Sequence, residues 1–266
     1  MDLDIYQVDA FTLQPFKGNP AAVCITQAPL DVSLMQSVAN EMALSETAFL
    51  SLDDWRLRWF TPDTEVALCG HGTLATAHVL RQQGLLTPGT SVVFHTLSGP
   101  LIVTAEKSQL TMDFPRATLD YQVPLPPTLL QALSLKPADV IASAAFGQKL
   151  LLELTEEATV VALTPDFTAL KNIPGRGIVV TAIAGRRPED FVSRYFAPWV
   201  GVNEDPVTGS AHCALAVYWG QKLGLETMTG YQASVRGGVV RMQLQAHGRV
   251  TLSGDAVTIL QGTMTV

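Results

Sequence analysis

Arg58-Trp59-Phe60-Thr61-Pro62 is followed 136 positions later by Arg194-Tyr195-Phe196-Ala197-Pro198. Other echoes fall at nearly the same spacing. Gly72-Thr73-Leu74-Ala75 returns as Gly209-Ser210-Ala211-His212 at an offset of 137, and Thr96-Leu97-Ser98-Gly99 as Ser234-Val235-Arg236-Gly237 at 138. Asp9-Ala10-Phe11 has a weaker echo in Ala144-Ala145-Phe146 at 135. Ordered matches whose offset drifts by single residues mark a duplicated unit that has taken small insertions. The 266 residues then read as two related halves of ordinary domain size. A boundary is expected near the proline-rich stretch 121–128, giving an N-terminal lobe over 1–120 and a C-terminal lobe over 121–266. The last strand is free to return to the first lobe.

Within the first half, 5–8, 21–25, 47–50, 57–60, 91–94, 101–105 and 110–114 have strand character, bounded by Gly, Pro or Asp. Residues 32–42 have helical spacing, with Leu34, Val38 and Met42 on one face. Residues 66–80 and 206–221 run uncharged and rich in alanine, each beginning with small, glycine-containing turns. A helix that is apolar all round must be buried on every side, so strands wrapped around each such helix satisfy both patterns. The expected fold class is α+β: two pseudo-symmetric lobes, each a curved, mostly antiparallel sheet around a central helix.

Composition narrows the function classes. Hydrophobic residues make up 47% of the chain and charged residues only 15%, below the usual quarter. The net charge is −7, and the basic residues form no stripe interleaved with aromatics, which argues against a nucleic-acid partner. No apolar run approaches membrane-span length. Three scattered cysteines, Cys24, Cys69 and Cys213, fit a reducing compartment. The acidic start MDLDIYQVDAF lacks signal-peptide character. A cytoplasmic protein is expected. No P-loop is present, no GxGxxG follows a strand, and the cysteines and histidines have no zinc-site spacing. Neither a metal nor an organic cofactor is expected.

Two helix starts stand out. In Leu68-Cys69-Gly70-His71-Gly72-Thr73, glycines permit close backbone approach to a ligand, and the open amides of the following helix favour an anion. Asp205-Pro206-Val207-Thr208-Gly209-Ser210 repeats the device in the second half. Each could equally be a cap and a tight turn. Together, Gly70–Thr73 and Thr208–Ser210 are expected to cradle a carboxylate.

Asp9-Ala10-Phe11-Thr12, Gly18-Asn19-Pro20-Ala21-Ala22-Val23, Leu44-Ser45-Glu46-Thr47-Ala48-Phe49, Arg58-Trp59-Phe60-Thr61-Pro62, Cys69-Gly70-His71 and the segment from Asn203 to His212 occur in one order over most of the chain. In this the chain resembles the phenazine-biosynthesis PhzF-like family. The resemblance implies the diaminopimelate-epimerase-like fold, a homodimer, and a cofactor-independent isomerase or epimerase that moves a proton on a small carboxylic acid. The best-understood member isomerises a dihydro-hydroxyanthranilate. The resemblance makes Glu46 the acid/base, with His71 and Asp205 as the other catalytic positions. Ser45, Gly70, Gly72, Thr73, Thr208, Gly209 and Ser210 are the substrate-binding candidates. Burial in a cleft is expected to raise the Glu46 pKa toward the operating range.

Blander uses stand beside these. Glu46 suits a cap or a surface charge, His71 a structural role, and Asp205 an N-cap. Cys69 sits where related epimerases carry one of two catalytic thiols. The repeat offset of 137 places Pro206 opposite it, which disfavours a two-thiol mechanism. A cysteine-assisted racemase and a non-catalytic carboxylate-binding protein are the alternatives.

Overall fold

The computed structural model describes residues 1–266 as two compact units, Met1–Phe114 with Thr251–Val266, and Pro115–Val250. In the first unit the elements are β1 (Asp2–Ala10), β2 (Asn19–Thr26), α1 (Val32–Met42), β3 (Thr47–Ser51), β4 (Arg56–Phe60), β5 (Glu65–Val66), α2 (Gly70–Gln82), β6 (Ser91–Thr96), β7 (Gly99–Ala105) and β8 (Leu110–Pro115). β1 and β2 form an antiparallel hairpin, and α1 carries the chain across to β3, which lies parallel to β2. β4 returns antiparallel to β3, folds back on β5 and runs parallel to β6. β6, β7 and β8 meander.

The second unit contains β9 (Asp120–Tyr121), α3 (Pro127–Ala132), β10 (Val140–Phe146), β11 (Lys149–Leu154), α4 (Glu157–Ala162), α5 (Phe167–Lys171), β12 (Gly177–Ile183), β13 (Phe191–Ala197), β14 (Val202–Asp205), α6 (Gly209–Leu223), β15 (Thr227–Gln232) and β16 (Gly238–Gln245). β17 (Arg249–Gly254) leads back to the first unit, where β18 (Ala256–Thr265) pairs antiparallel with β1. The internal pairing repeats that of the first unit. β10 and β11 form a hairpin, β11 is parallel to β12, β13 is antiparallel to both β12 and β14, and β15 lies parallel to β13.

Local chemistry accounts for the elements. Asp31 caps α1 by accepting from the Ser33 amide, and Ala43 ends it in the left-handed conformation at φ 52°. The helix buries Met35, Val38 and Ala39, with Leu34 and Met42 at the margin, against Phe49 and Phe60. α2 is buried at nine of its residues and α6 at ten. In α6, Trp219 stacks on Phe191 at 5.7 Å and donates to Thr181 Oγ1 at 3.0 Å. Tyr218 donates to the buried Glu153 carboxylate, which Lys222 neutralises. No helix is long and apolar enough to cross a membrane.

The repeat acquires a physical basis in the strand before each helix. Arg58 grips Glu65 with two bonds of 2.7 Å, and Arg194 grips Glu204 at 2.7 and 2.9 Å. Each such fork ties a long strand to the short one that feeds the helix. Phe60 pairs with Glu65, and Phe196 with Glu204, so the offset of 136 at the phenylalanines has become 139 at the glutamates. The three-residue helical turn Pro198–Val200 accommodates the difference.

The helix starts keep that larger offset. Cys69 is the N-cap of α2 and Thr208 the N-cap of α6. Thr73 Oγ1 donates back to the Cys69 carbonyl at 2.7 Å, and His212 Nδ1 to the Thr208 carbonyl at 2.8 Å. Thr208, not Pro206, is therefore opposite Cys69, and Gly209 answers Gly70 rather than Gly72. The sequence match at 137 was out of register because it read across the inserted turn.

His212 is fully buried, and its Nε2 has no partner. Burial, against a smaller effect of the bond to Thr208, depresses its pKa to about 4. A base whose folded pKa lies below its unfolded value stabilises the fold above the unfolded pKa, and that contribution falls away as pH drops. From the ordinary value near 6.5, it is about 2–3 kcal/mol between pH 7 and pH 4.5. His212→Thr, which installs the group found at Thr73, is expected to flatten stability against pH by about that amount. Urea unfolding at the two pH values measures it, and an unchanged pH dependence would remove His212 as the acid-sensitive group.

Candidate active site

The site is built where α1, β2 and α2 bring three short segments of the first unit together. The chain leaves α1 through left-handed Ala43, and Ser45 and Glu46 follow immediately before the buried strand β3. β2 begins at Asn19, and α2 begins at Gly70-His71. His71 is the hub. Its Nε2 lies 3.2 Å from Glu46 Oε2 and 3.4 Å from Ser45 Oγ, while Nδ1 lies 3.2 Å from Asn19 Nδ2. The His71 side chain is 8% exposed and that of Glu46 21%. Solvent therefore screens the pair weakly, and one edge of the carboxylate remains open.

The electrostatics reverse the expectation for Glu46. Burial pushes its carboxyl up, but the charge of His71 and hydrogen bonds from His71 and Ser45 outweigh burial, leaving the pKa below its ordinary 4.5. Burial disfavours the His71 imidazolium, yet the Cys69 sulfur and the Glu46 carboxylate hold its pKa well above 6.5. At neutral pH the arrangement is a carboxylate beside an imidazolium. Desolvation alone would raise the carboxyl, but it also strengthens the attraction of the His71 cation, which prevails.

Cys69 has a different place. Its Sγ accepts from the Gly72 amide at 3.3 Å. It lies 3.6 Å from His71 Nδ1 and 3.8 Å from Nε2. A sulfur nearly equidistant from both ring nitrogens sits beside the ring as a whole, off the axis of either nitrogen. Burial and the Glu46 charge raise the thiol pKa, with His71 opposing. Cys69 is thus a capping thiol at the start of α2. Glu46, Cys69 and His71 do present a carboxylate oxygen, a sulfur and an imidazole nitrogen within 4.8 Å of one another, a donor set of the kind transition metals accept. The ligands come from two separate segments, so no spacing in the sequence announces them.

The remaining candidates divide by what their atoms already do. A Cβ on Gly72 would meet Trp59 Cδ1 at 2.9 Å and Cys69 Sγ at 3.0 Å, so Gly72 is required by packing. Thr73 is fully buried, its hydroxyl and amide both donating to the Cys69 carbonyl. Gly70 stands at the open end of α2, in the first turn, where amides lack helical partners.

In the second unit, Asp205 ends β14 and accepts from the Thr208 hydroxyl, so it braces the turn and is not the N-cap. Gln232 fixes the same turn by accepting from the Thr208 amide at 2.9 Å and donating to the Asp205 carbonyl at 2.6 Å. Gly209 is buried, and the exposed Ser210 receives a bond of 2.7 Å from Lys149 Nζ. Asn19, Gln232 and Lys149 escaped the sequence reading. Asn19 was legible only as part of a longer motif, and the other two lie far along the chain from what they hold.

The family model for phenazine biosynthesis-like proteins, PhzC-PhzF, matches residues 8–262. An uncharacterized isomerase of Pseudomonas aeruginosa is 48% identical over 98% of each chain. One of Halalkalibacterium halodurans is 46% identical over 99% of each. The crystal structure of a PhzF-family phenazine biosynthesis protein from Enterococcus faecalis, 41% identical, covers the whole of both chains with a TM-score of 0.92.

The ion pair gives a direct readout. In an NMR titration His71 is expected to remain protonated well past pH 6.5, and Glu46→Gln to bring its pKa down. A His71 that titrates at an ordinary value in both proteins would dissolve the pair.

Proposed function

We propose a specific chemistry for this chain, which belongs to the phenazine biosynthesis-like PhzC-PhzF family and is an isomerase of it: Glu46 removes a proton from an activated carbon of a small carboxylic acid and returns it at another position. The observation that carries this reading is the half-buried Glu46 carboxylate held 3.2 Å from His71. A general base must be ionised, positioned and only partly solvated, and Glu46 meets all three conditions. His71 supplies an imidazolium where negative charge would develop on the deprotonated substrate. Ser45 Oγ lies beside its Nε2, and the Asn19 side-chain amide lies beside its Nδ1. The first-turn amides of α2 suit a substrate carboxylate.

In the reaction, the C–H bond electrons pass into the adjoining unsaturated system and the proton passes to Glu46. The charge is then quenched when Glu46, part-exposed so that its proton exchanges with solvent, delivers a proton at the other position. Asp205 and the Thr208–Ser210 turn remain proposed contributors through the family motif. The family resemblance likewise supports a homodimer. A cysteine-assisted racemase is the weaker reading, since Sγ caps α2 and its thiol pKa is raised.

Small carboxylic acids incubated with the enzyme in heavy water, followed by NMR, should reveal a substrate that takes up deuterium. Glu46→Gln is expected to lower that exchange at least 10²-fold while changing affinity by less than about tenfold. Cys69→Ala should be far milder, and a comparable loss would favour the racemase. Chelators should leave exchange unaltered. If activity vanished on chelation and returned only with metal, the Glu46–Cys69–His71 donor set would have to be read as a metal site.

The pH profile follows from the two shifts. Glu46 acts as base above its lowered pKa, and His71 as a cation below its raised one. The rate is therefore expected to be level through neutrality, with an acid limb below pH 4.5 and an alkaline limb well above pH 6.5. An acid limb near pH 6–7 would show a Glu46 pKa raised by burial and would contradict the ion pair.

A further inference from the structure

A cavity of about 520 Å³ in the second unit is lined by Phe146, Gly147, Gln148, Lys149, Arg176 and Ser210, together with Ala117 and Thr118. Its charged lining is wholly cationic. Lys149 Nζ donates to Ser210 Oγ at 2.7 Å and lies 5.7 and 5.6 Å from the ring centres of Phe146 and Tyr195. An ammonium has three protons to donate, and a serine oxygen that accepts one of them can still donate its own. Arg176 adds a planar fork. Two cations in one cavity, with no carboxylate in its lining, form an incomplete arrangement of charge. The carboxylate whose charge acts on Lys149 is that of Asp205, which accepts from Thr208.

The internal repeat says where this cavity falls. Thr47 pairs with Phe60 as Ile178 pairs with Phe196. The position of Glu46 is thus held by Gly177, and that of Ser45 by Arg176. On the parallel side, Ala22 pairs with Thr47 as Leu150 pairs with Ile178, so Lys149 stands at the position of Ala21. That is two residues beyond Asn19, on the same face of the strand. From the two helix starts, Ser210 stands at the position of His71. The set Lys149–Arg176–Ser210 is therefore the second unit's counterpart of the Asn19–Ser45–Glu46–His71 cluster, with the base removed and cations installed.

We propose that this cavity is an oxyanion half-site in which Lys149, Arg176 and Ser210 hold a carboxylate group of a small organic acid. Lys149 and Arg176 offer a ligand only donors and the Ser210 hydroxyl offers one, the complement of a carboxylate. The Ser210 amide lies in the first turn of the fifteen-residue helix α6, where the dipole has the same sign. Burial and then the neighbouring Arg176 charge lower the Lys149 pKa, the sign of a cation short of counter-charge. The proposal takes the class of its ligand from the function argued above, but its geometry is independent of Glu46.

Malonate is the probe, titrated by calorimetry at low and moderate salt into the wild type, Lys149→Met, Arg176→Met and Glu46→Gln. Lys149→Met is expected to weaken malonate at least tenfold and Arg176→Met several-fold, with affinity falling as salt rises. Glu46→Gln should bind as the wild type does. Arg176 lies in an exposed turn, so its variant keeps the test open if Lys149→Met proves unstable to heat. Malonate affinity unchanged in both cation variants would overturn the half-site. Loss of binding in Glu46→Gln alone would place the anion in the first unit. Inorganic phosphate binding more tightly than malonate, and through the same two cations, would overturn the carboxylate assignment.

Discussion

A helix with no charged face cannot stand in water, and this chain contains two. α2 and α6 each expose little beyond their ends, so each requires strands around it. Once a helix is enclosed, its first turn is the part that can still meet a ligand, because its amides have no partners within the helix and are satisfied from outside. Chemistry collects there for that reason. His71 and Ser210, the second residues of the two helices, are the points around which polar side chains from neighbouring strands converge.

The same enclosure sets the electrostatics. In water a glutamate beside a histidine would have little hold on it. In the first unit, desolvation that disfavours either charge alone strengthens their attraction, and the pair settles as carboxylate and imidazolium. Cys69, against the same ring, is driven the other way, because burial and the Glu46 charge outweigh the pull of His71. Two acids in one cluster thus shift in opposite directions, and what separates them is contact with a cation at 3.2 Å against a sulfur placed beside the ring.

Much of this was legible in the residues. Uncharged helices, alternating strands and the Arg-aromatic-Phe echo led to two α+β units, and the limits of α1 were read at 32–42, where they fall. The residues of the site came from a motif, not from geometry. Three things stayed hidden for physical reasons. The turn Pro198–Val200 moved the register of the repeat, and only the glutamate partners of Arg58 and Arg194 reveal the shift. Burial predicts a raised Glu46 unless the contact with His71, twenty-five residues along, is known. Gln232 and Lys149 act through side chains on strands remote in sequence from the turns they hold.

The duplication did not yield two equal sites, and the packing explains why. A side chain at Gly177, the counterpart of Glu46, would begin 2.0 Å from Tyr195 Oη. Tyr195 stands where the first unit has Trp59, whose ring instead closes against Gly72. The aromatic residue of the repeated strand thus leans toward the sheet in one unit and toward the helix start in the other. Where it leans toward the helix, space remains beside the next strand for a carboxylate. Where it leans toward the sheet, that space is filled and a glutamate is excluded. Asp205 does not restore the symmetry, because its register partner in the first unit is Val66. Glu46 and Asp205 are therefore unrelated by the repeat. One copy retains room for a base, the other only for groups that reach in from its rim, as Lys149 does.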